Sequence, residues 1–215
     1  MEQEAGCVFC DRERILDDIL CESENFFVKV GIGLAAPGHV LLIPKEHYRC
    51  YADIPSGLEG ELGEMKERLS RLIGEKFSRP YIIKYGVWGQ SVPHAHLHFI
   101  PSTSAEYGIE SLVDEMVRPS AIPVEETTRE GLKAIYQDEG GYVSIEEQGT
   151  LYACHVKGIT RVAGQPNPYL SFRGFLSEKK GVKSVRAWQN LSDEERLLDE
   201  EKRALTKKML SALRS

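Results

Sequence analysis

The sequence lacks the marks of a membrane, secreted or repetitive protein. No apolar run approaches the roughly 18 residues that a membrane-spanning helix needs, and the acidic start Met-Glu-Gln-Glu-Ala-Gly has no signal-peptide pattern. The sequence contains no internal repeat and no low-complexity tract. Its five cysteines are an odd number without a secretion signal, which favours reduced thiols and a cytoplasmic location.

Positive charge is also scarce. The 215 residues include 27 Lys and Arg against 33 Asp and Glu, which gives a net charge of −6. This balance argues against broad, nonspecific nucleic-acid binding, although a local basic pocket could still hold a small anionic ligand. The length fits one large domain, or a smaller domain with an extension.

Hydrophobic periodicity predicts an α+β first half. The pattern favours four strands, at 25–30, 39–44, 81–85 and 94–100. An amphipathic helix that begins near Ser56 separates the second strand from the third. Two strands, a helix and two further strands predict an antiparallel sheet with a helix packed on it. Residues 7–24 are predicted to be polar, with a short helix.

The second half has a different pattern. In chain order we predict a connector over 105–124, a helix over 125–139, a hairpin of 142–145 and 151–156, and a charged helix capped by Ser192. Glu195 stands three residues after Ser192, the spacing of a capping box.

Three histidines occupy alternate positions, His94, His96 and His98, in an apolar run that stops at Pro101. On a strand, residues two apart share one face, so the intervening Ala, Leu and Phe face a core and the imidazoles line the other side, about 6–7 Å apart. An imidazole has an ordinary pKa of about 6.5. In its neutral form it can attack phosphorus and leave again, which indicates a reaction site.

The motif Cys7-x-x-Cys10 places two thiols at a spacing that binds zinc. Two more ligands are needed for a tetrahedral site, and His47 and His94 are the candidates. A closed Cys2His2 site of this kind would be structural. A redox pair and two simply packed cysteines are the alternatives.

The segment Gly86-Val87-Trp88-Gly89-Gln90-Ser91 leads into the histidines. Glycine allows close backbone approach. Such a loop can direct N–H groups, together with the Gln90 and Ser91 side chains, at phosphate oxygens.

In this order and spacing, the motifs over about residues 7–101 resemble the histidine triad (HIT) family of nucleotide hydrolases and transferases. The resemblance includes the run from Ala36 through Lys45 to His47, and Gly89-Gln90-Ser91-Val92 before the triad. It implies a HIT-like five-stranded antiparallel sheet with a long helix over 1–104. An α/β C-terminal extension over 105–215 would follow, either as a pocket cap or as a dimer element.

The resemblance also implies residue roles. His96 would attack an α-phosphate and form a nucleotidyl-histidine, which water then hydrolyses; the bond cleaved is a phosphoanhydride or a phosphoramidate. The implied catalytic residues are His96, His98 and Ser91. The implied substrate-binding residues are Gln90, Ser91, His39 and Gly89. The implied ligands of a structural zinc are Cys7, Cys10, His47 and His94. A nucleotide substrate and a homodimer are expected as well.

Two positions bear on specificity. Gly31 stands where family members commonly have the Asp or Asn that holds the ribose hydroxyls. His98 stands where transferase relatives usually have Gln, which favours hydrolysis. In the extension, residues 161–186 are rich in Lys and Arg, and Tyr169 or Trp188 could stack on a base.

Two other functions are compatible with the sequence. His94, His96 and His39 could bind a catalytic zinc, because His-x-His on a strand is also a metal pattern. Alternatively, Gly31 and the long extension would suit a non-catalytic nucleotide-binding or adaptor protein.

Overall fold

The computed structural model describes residues 4–102, 108–118, 122–157, 159, 172, 175–176 and 191–214. Eight strands form one antiparallel sheet. They are β1 (Ile19–Glu22), β2 (Phe26–Val30), β3 (Val40–Pro44), β4 (Pro80–Gly86), β5 (Leu97–Pro101), β6 (Val124–Glu126), β7 (Tyr142–Glu147) and β8 (Thr150–Cys154). Their order across the sheet is β1-β2-β3-β5-β4-β7-β8-β6.

Among the continuous described ranges, five α-helices accompany the sheet. They are α1 (Arg12–Ile15), α2 (Glu59–Lys76), α3 (Ile109–Leu112), α4 (Arg129–Glu139) and α5 (Asp193–Met209). A π-helical turn at Val113–Val117 continues α3, and 3-10 turns lie at Leu16–Asp18, Ser56–Leu58 and Ser211–Arg214. Within the described ranges, none of the helices combines the length and apolar character that crossing a bilayer requires.

The two faces of the sheet are covered by different elements. On one face, α2 buries Leu69 and Ile73 against β3 and β5 residues such as Leu42. On the other face, Phe27 and Ile43 pack with Phe9 near the N-terminus. Further along that second face, α3 and the π-helical turn pack on β4 and β7. The triad strand β5 lies between these last two clusters in the sheet order.

The extension continues the sheet of the first 104 residues. Strand β7 pairs with β4 over five residues, from Ile82 opposite Glu146 to Gly86 opposite Tyr142. The α+β class with five strands and a long helix in the first part, and mixed helices and strands in the second, is therefore confirmed. Because hydrogen bonds cross between the two segments, the domain division at residue 104 stays a prediction.

The strands and helices predicted from periodicity are present, but several boundaries differ. Strand β5 begins at Leu97, three residues later than predicted. Strands β1 and β6 were not predicted, since both are short edge strands with few buried residues. The predicted connector contains α3 and the π-helical turn, which bury Leu112 and Val117. The capping box of Ser192 and Glu195 is confirmed.

Helix α5 is bound to the β1–β2 edge through one acidic side chain. Asp18 accepts from Lys207 at 2.9 Å and also from Arg203, both on α5. The buried Lys29 ammonium lies 3.9 Å from the same carboxylate. Asp18 therefore offsets positive charge from the helix and from the sheet at once.

The same helix holds the loop that follows β2. The buried Asp199 carboxylate accepts from the backbone N–H groups of Gly33 at 2.9 Å and Leu34 at 2.6 Å. Two turns further along, the Thr206 hydroxyl accepts from the N–H of Gly38 at 2.8 Å. The loop between β2 and β3 thus takes its shape from a helix about 165 residues later in the chain.

The basic residues predicted for 161–186, together with Tyr169 and Trp188, lie outside the described residues.

We expect Asp18→Asn to lower the free energy of unfolding by about 2 kcal/mol at pH 7, because it leaves buried Lys29 without its counter-ion. Burial acts to raise the pKa of Asp18, but the Lys207 hydrogen bond and the charges of Lys29 and Arg203 outweigh it and lower that pKa. A lowered carboxyl pKa stabilises the fold above its unfolded-state value, and this contribution is lost as pH falls through the folded-state pKa.

Urea denaturation between pH 7 and pH 3 measures this effect. The difference between wild type and Asp18→Asn shrinks as the pH approaches 3. Asp17→Asn, an exposed neighbour in the same turn, serves as the control and should change little. Equal stability of Asp18→Asn and wild type at pH 7 would contradict the assigned role.

Candidate active site and metal centre

The alternation of side chains along the triad is confirmed. Ala95, Leu97 and Phe99 lie in the core beneath α2, and all three histidines are buried outside that cluster. The first two triad histidines precede β5. There the chain is held by hydrogen bonds from His94 N to Val92 O at 2.8 Å and from Ala95 N to Tyr48 O at 2.7 Å.

The central imidazole, His96, has one ring nitrogen fixed by the backbone. Its Nδ1 lies 2.7 Å from the carbonyl oxygen of His94, and a carbonyl only accepts, so Nδ1 carries the proton. In the neutral ring, the lone pair is then on Nε2. The side chain is 5% exposed, and its ring meets those of Phe9 and His98 edge-on, at centroid distances of 5.4 and 4.9 Å. This tautomer is the one that a nucleophile at Nε2 requires.

A relay of hydrogen bonds orients the third histidine. The N–H of Ala35 donates to Nδ1 of His39 at 3.3 Å, so the His39 proton is on Nε2. That Nε2–H donates to Nδ1 of His98 at 3.0 Å. In the neutral ring, His98 therefore carries its own proton on Nε2 and is a hydrogen-bond donor there.

The loop before the triad has two residues in the left-handed region, Gly89 with φ 84° and Val87 with φ 64°. A β-branched residue at positive φ is strained, which indicates that the surrounding structure imposes this conformation. The Gln90 amide donates to the carbonyl of Arg49 at 3.0 Å, and Ser91 is exposed. The predicted substrate contacts of Gly89, Gln90 and Ser91 stay predictions.

Gly31 leaves space beside His39, the residue that orients His98. A Cβ atom at this position would lie 3.9 Å from Cε1 of His39, an ordinary van der Waals distance. The fold therefore has room for a Cβ atom at residue 31, and steric contacts do not require glycine there.

Four side chains near the N-terminus form a compact donor cluster: Cys7, Cys10, His47 and His94, whose ligand atoms all lie within 4.8 Å of one another. The Sγ of Cys7 lies 3.4 Å from Nδ1 of His94. The Sγ of Cys10 lies 3.4 Å from Nδ1 of His47 and 3.6 Å from Nδ1 of His94. Donor atoms of a tetrahedral zinc site with these ligand types are about 3.5 Å apart, so the arrangement fits a zinc ion.

The outer contacts of the two histidines also fit a metal site. His94 donates from Nε2 to the carbonyl of Pro44 at 2.9 Å, and His47 from Nε2 to the Glu4 carboxylate at 3.0 Å. Both rings thereby turn Nδ1 toward the thiols, as metal-bound histidines do. Burial lowers the pKa of His94 to about 4, which keeps this ring neutral.

The thiols are free cysteines, and burial raises the pKa of Cys10. A redox-active cysteine needs a lowered thiol pKa, so the redox alternative is not favoured. A cation between the four donors would deprotonate both thiols. The cluster can therefore hold a metal ion.

The alternative set of His94, His96 and His39 is not brought around one point. The His94 donor atom faces the thiols, and Nε2 of His39 is hydrogen-bonded to His98. Within the described part of the chain, the Cys7 cluster is the group with metal-ligand spacing.

Several residues of this site were missed at the level of sequence. Phe9 packs edge-on against both His94 and His96, at centroid distances of 5.7 and 5.4 Å. Glu4 and the Pro44 carbonyl orient the metal-site histidines. No sequence signal marks these roles, because a backbone carbonyl is present at every position and an acidic N-terminus is common.

Comparison with known proteins identifies a family model and several similar proteins. Residues 12–105 match the family model for the HIT domain. An uncharacterized HIT-like protein from Chlamydia muridarum is 33% identical over 99 residues, which cover 44% of this chain and 73% of that protein. An adenosine 5'-monophosphoramidase from Danio rerio is 34% identical over 116 residues, 47% of this chain and 68% of that protein. A solved structure, a Zn-bound histidine triad family protein from Mycobacterium smegmatis, matches with 26% identity and a TM-score of 0.40 over 48% of this chain and 81% of the other.

The three alternating histidines on an α+β sheet, together with the match to the HIT-domain model, place the chain in the class of histidine triad proteins. The chain belongs to the HIT family.

We expect His39→Phe to disturb the His98 tautomer, since it removes the donor to Nδ1 of that ring. Long-range ¹⁵N–¹H correlation of the imidazoles should show His98 protonated on Nε2 in the wild type and a mixture of tautomers in the variant. The free energy of unfolding should fall by about 1–2 kcal/mol. His39→Gln retains an N–H donor and should preserve more of the wild-type pattern. An unchanged His98 spectrum in His39→Phe would refute the relay.

Proposed function

We propose that the protein is a nucleotide hydrolase that uses His96 to cleave a nucleotidyl phosphoanhydride or phosphoramidate bond. The observation that carries the proposal is the hydrogen bond from Nδ1 of His96 to the His94 carbonyl, which assigns the lone pair to Nε2. The similarity to proteins named adenosine 5'-monophosphoramidases supports a nucleoside phosphoramidate as the first substrate class to examine.

The reaction has two steps. Nε2 of His96 attacks the α-phosphorus; the new P–N bond forms as the bond to the leaving group breaks, and that group departs with the electron pair and gains a proton. The imidazolium that results is stabilised, because its Nδ1–H donates to the His94 carbonyl oxygen. Water then attacks the phosphorus, the P–N bond breaks, and the pair returns to Nε2 with release of the nucleoside monophosphate.

The surrounding residues have supporting roles in this proposal. His98 donates from Nε2 to the phosphate, and His39 holds His98 in the required tautomer. Ser91 assists the leaving group, and Gln90 and the N–H of Gly89 bind phosphate oxygens. Gly31 offers no side chain to the ribose, so recognition of the sugar must come from other groups.

We further propose that Cys7, Cys10, His47 and His94 bind a structural zinc ion. Zinc would neutralise the two thiolates and fix the N-terminal segment on the sheet. Phe9 lies between the two cysteines in sequence and packs against the His96 ring. The metal site therefore positions Phe9, which packs against the nucleophilic imidazole, and it takes no part in the chemical step.

We also propose a cytoplasmic location. All five cysteines are free thiols, which suits the reducing cytoplasm. Assembly into a homodimer stays a prediction that sedimentation analysis can test.

We expect His96→Ala to reduce turnover by roughly 10³-fold or more, since the nucleophile is lost. The assay uses an adenosine 5'-phosphoramidate with a fluorogenic amine and, separately, a dinucleoside polyphosphate. Alkaline quench of the wild type in the first turnover should give a His96 peptide heavier by one nucleotidyl group. His155→Ala, a substitution in the extension outside the triad, is the control and should keep activity.

Nucleotide binding without turnover across both substrates would favour the adaptor alternative. Full activity of His96→Ala would refute the proposed nucleophile.

For the metal site, we expect one zinc per chain by elemental mass spectrometry. Cys7→Ser and Cys10→Ser should each lose the metal and a large part of the unfolding free energy, because structural zinc binding contributes to folding directly. Cys21→Ser, at a partly exposed cysteine outside the cluster, should retain both. Stoichiometric zinc in Cys10→Ser, or a metal-free wild type, would contradict the site.

A further inference from the structure

A second cavity lies on the face of the sheet opposite the triad. Its volume is about 350 Å³, within the range of small-molecule sites. Lys84 of β4 and Leu97 of β5 form its floor, α2 one wall and the start of α4 another. Lys84 alternates along β4 with Ile83, which pairs with His98, so the cavity and the triad face opposite sides of the sheet.

Cations outnumber anions among the residues that line this cavity. They comprise four cations and two carboxylates: Lys66, Lys84, Arg129 and Lys133, with Glu59 and Glu146. Each carboxylate is shared by two cations, so two positive charges are left without a counter-charge in the lining.

The first of the two groups is centred on Glu146 of β7. Lys66 lies 2.6 Å from one of its carboxylate oxygens, and Lys84 lies 3.1 Å from the other. Lys84 is only 8% exposed, and burial lowers its pKa to about 8. A buried ammonium that shares its carboxylate partner with another lysine favours a further anion beside it.

The second group is centred on Glu59 of α2. Both Arg129 and Lys133, from α4, lie 3.1 Å from the same carboxylate oxygen. The Nη2 of Arg129 is buried, and its 3.1 Å contact with Glu59 is an ion pair without a hydrogen bond from this nitrogen among the described residues. Buried donors in folded proteins are almost always paired, so this nitrogen indicates a missing acceptor.

A buried hydroxyl lies on the same face beside Lys84, although it is not one of the residues that line the cavity. Ser144 stands directly opposite Lys84 in the β4–β7 ladder, and its Oγ is buried without a hydrogen-bond partner. The apolar part of the cavity lining is made largely by Leu62, Leu132 and Leu151. A ligand for this cavity therefore needs two negative charges, several acceptor oxygens and an apolar portion.

We propose that this cavity binds a small phosphate monoester, with the phosphate among Lys84, Arg129 and Lys133 and the apolar portion against the leucines. A monoester carries nearly two negative charges at neutral pH and presents three acceptor oxygens. Arginine and lysine together are suited to such a group. The site shares no residue with the triad, so it stands whether or not His96 is a nucleophile.

The occupant would bridge the two parts of the chain. Lys84 and Glu59 belong to the first 104 residues, whereas Arg129 and Lys133 belong to the extension. A ligand that binds only the folded state stabilises it. Phosphate should therefore raise the unfolding temperature by fastening α4 to the sheet.

Inorganic phosphate is the probe, titrated into ¹⁵N-labelled full-length protein with backbone amide shifts as the readout. We expect saturable shifts at residues 127–133 and at Lys84. The double variant Lys84→Gln, Lys133→Gln should weaken binding at these amides by about tenfold or more, since it removes the excess charge. Each carboxylate keeps one cation in this variant, Lys66 for Glu146 and Arg129 for Glu59.

Glu59→Gln changes the charge in the opposite direction and should tighten phosphate binding several-fold, which keeps the proposal testable if the double variant folds poorly. Lys157→Gln removes an exposed lysine paired with Asp138, away from the cavity, and is the matched control. Shifts confined to the loop at Gly89–Ser91 would place phosphate at the triad alone and overturn the proposal. Affinity that is equal in all variants, or no saturable binding, would overturn it as well.

Discussion

Each of the three imidazoles buried on one face of the sheet has a ring nitrogen fixed by a hydrogen bond, and the site follows from that constraint. An unpaired polar group in the interior costs free energy. Nε2 of His94 donates to the carbonyl of Pro44, and Nδ1 of the same ring lies beside the thiol of Cys7. His96 uses the backbone of His94, and His98 uses His39. The tautomers are therefore set by the fold before any substrate arrives.

Parts of the chain far from the triad maintain this arrangement. The N-terminal cluster positions Phe9 against His96 from one side. On the other side, Asp199 and Thr206 of α5 accept hydrogen bonds from the loop between β2 and β3. His39 is the last residue of that loop. The backbone N–H of His39 donates to Ala36 at 3.2 Å within this loop. The extension thus acts on the triad through the conformation of a loop, without supplying a triad residue.

The sequence predicted the features that depend on local pattern. Alternation along 94–100 was sufficient to separate core residues from imidazoles, and Ser192 with Glu195 was sufficient to place the start of α5. Sheet continuity through β4 and β7, the edge strands β1 and β6, and the contacts of Asp199 were not predictable in this way. These features depend on pairs of residues that are distant in the chain, and neither partner carries a local signal. The metal donors lie between these cases, because the spacing of Cys7 and Cys10 is local, whereas His47 and His94 were candidates from the sequence that the family resemblance supported.

The two faces of the sheet differ in the charge of the groups buried on them. On the triad face, burial lowers the pKa of His94 to about 4 and keeps that ring neutral. On the other face, β4 and β7 bring buried Lys84 and Glu146 together, and α4 adds two further cations over Glu59. A chain with a net charge of −6 concentrates positive charge there only because the extension pairs with β4. The extension therefore completes a cavity on the face opposite the triad, with more cations than carboxylates in its lining, and its roles as a pocket cap or a dimer element stay predictions.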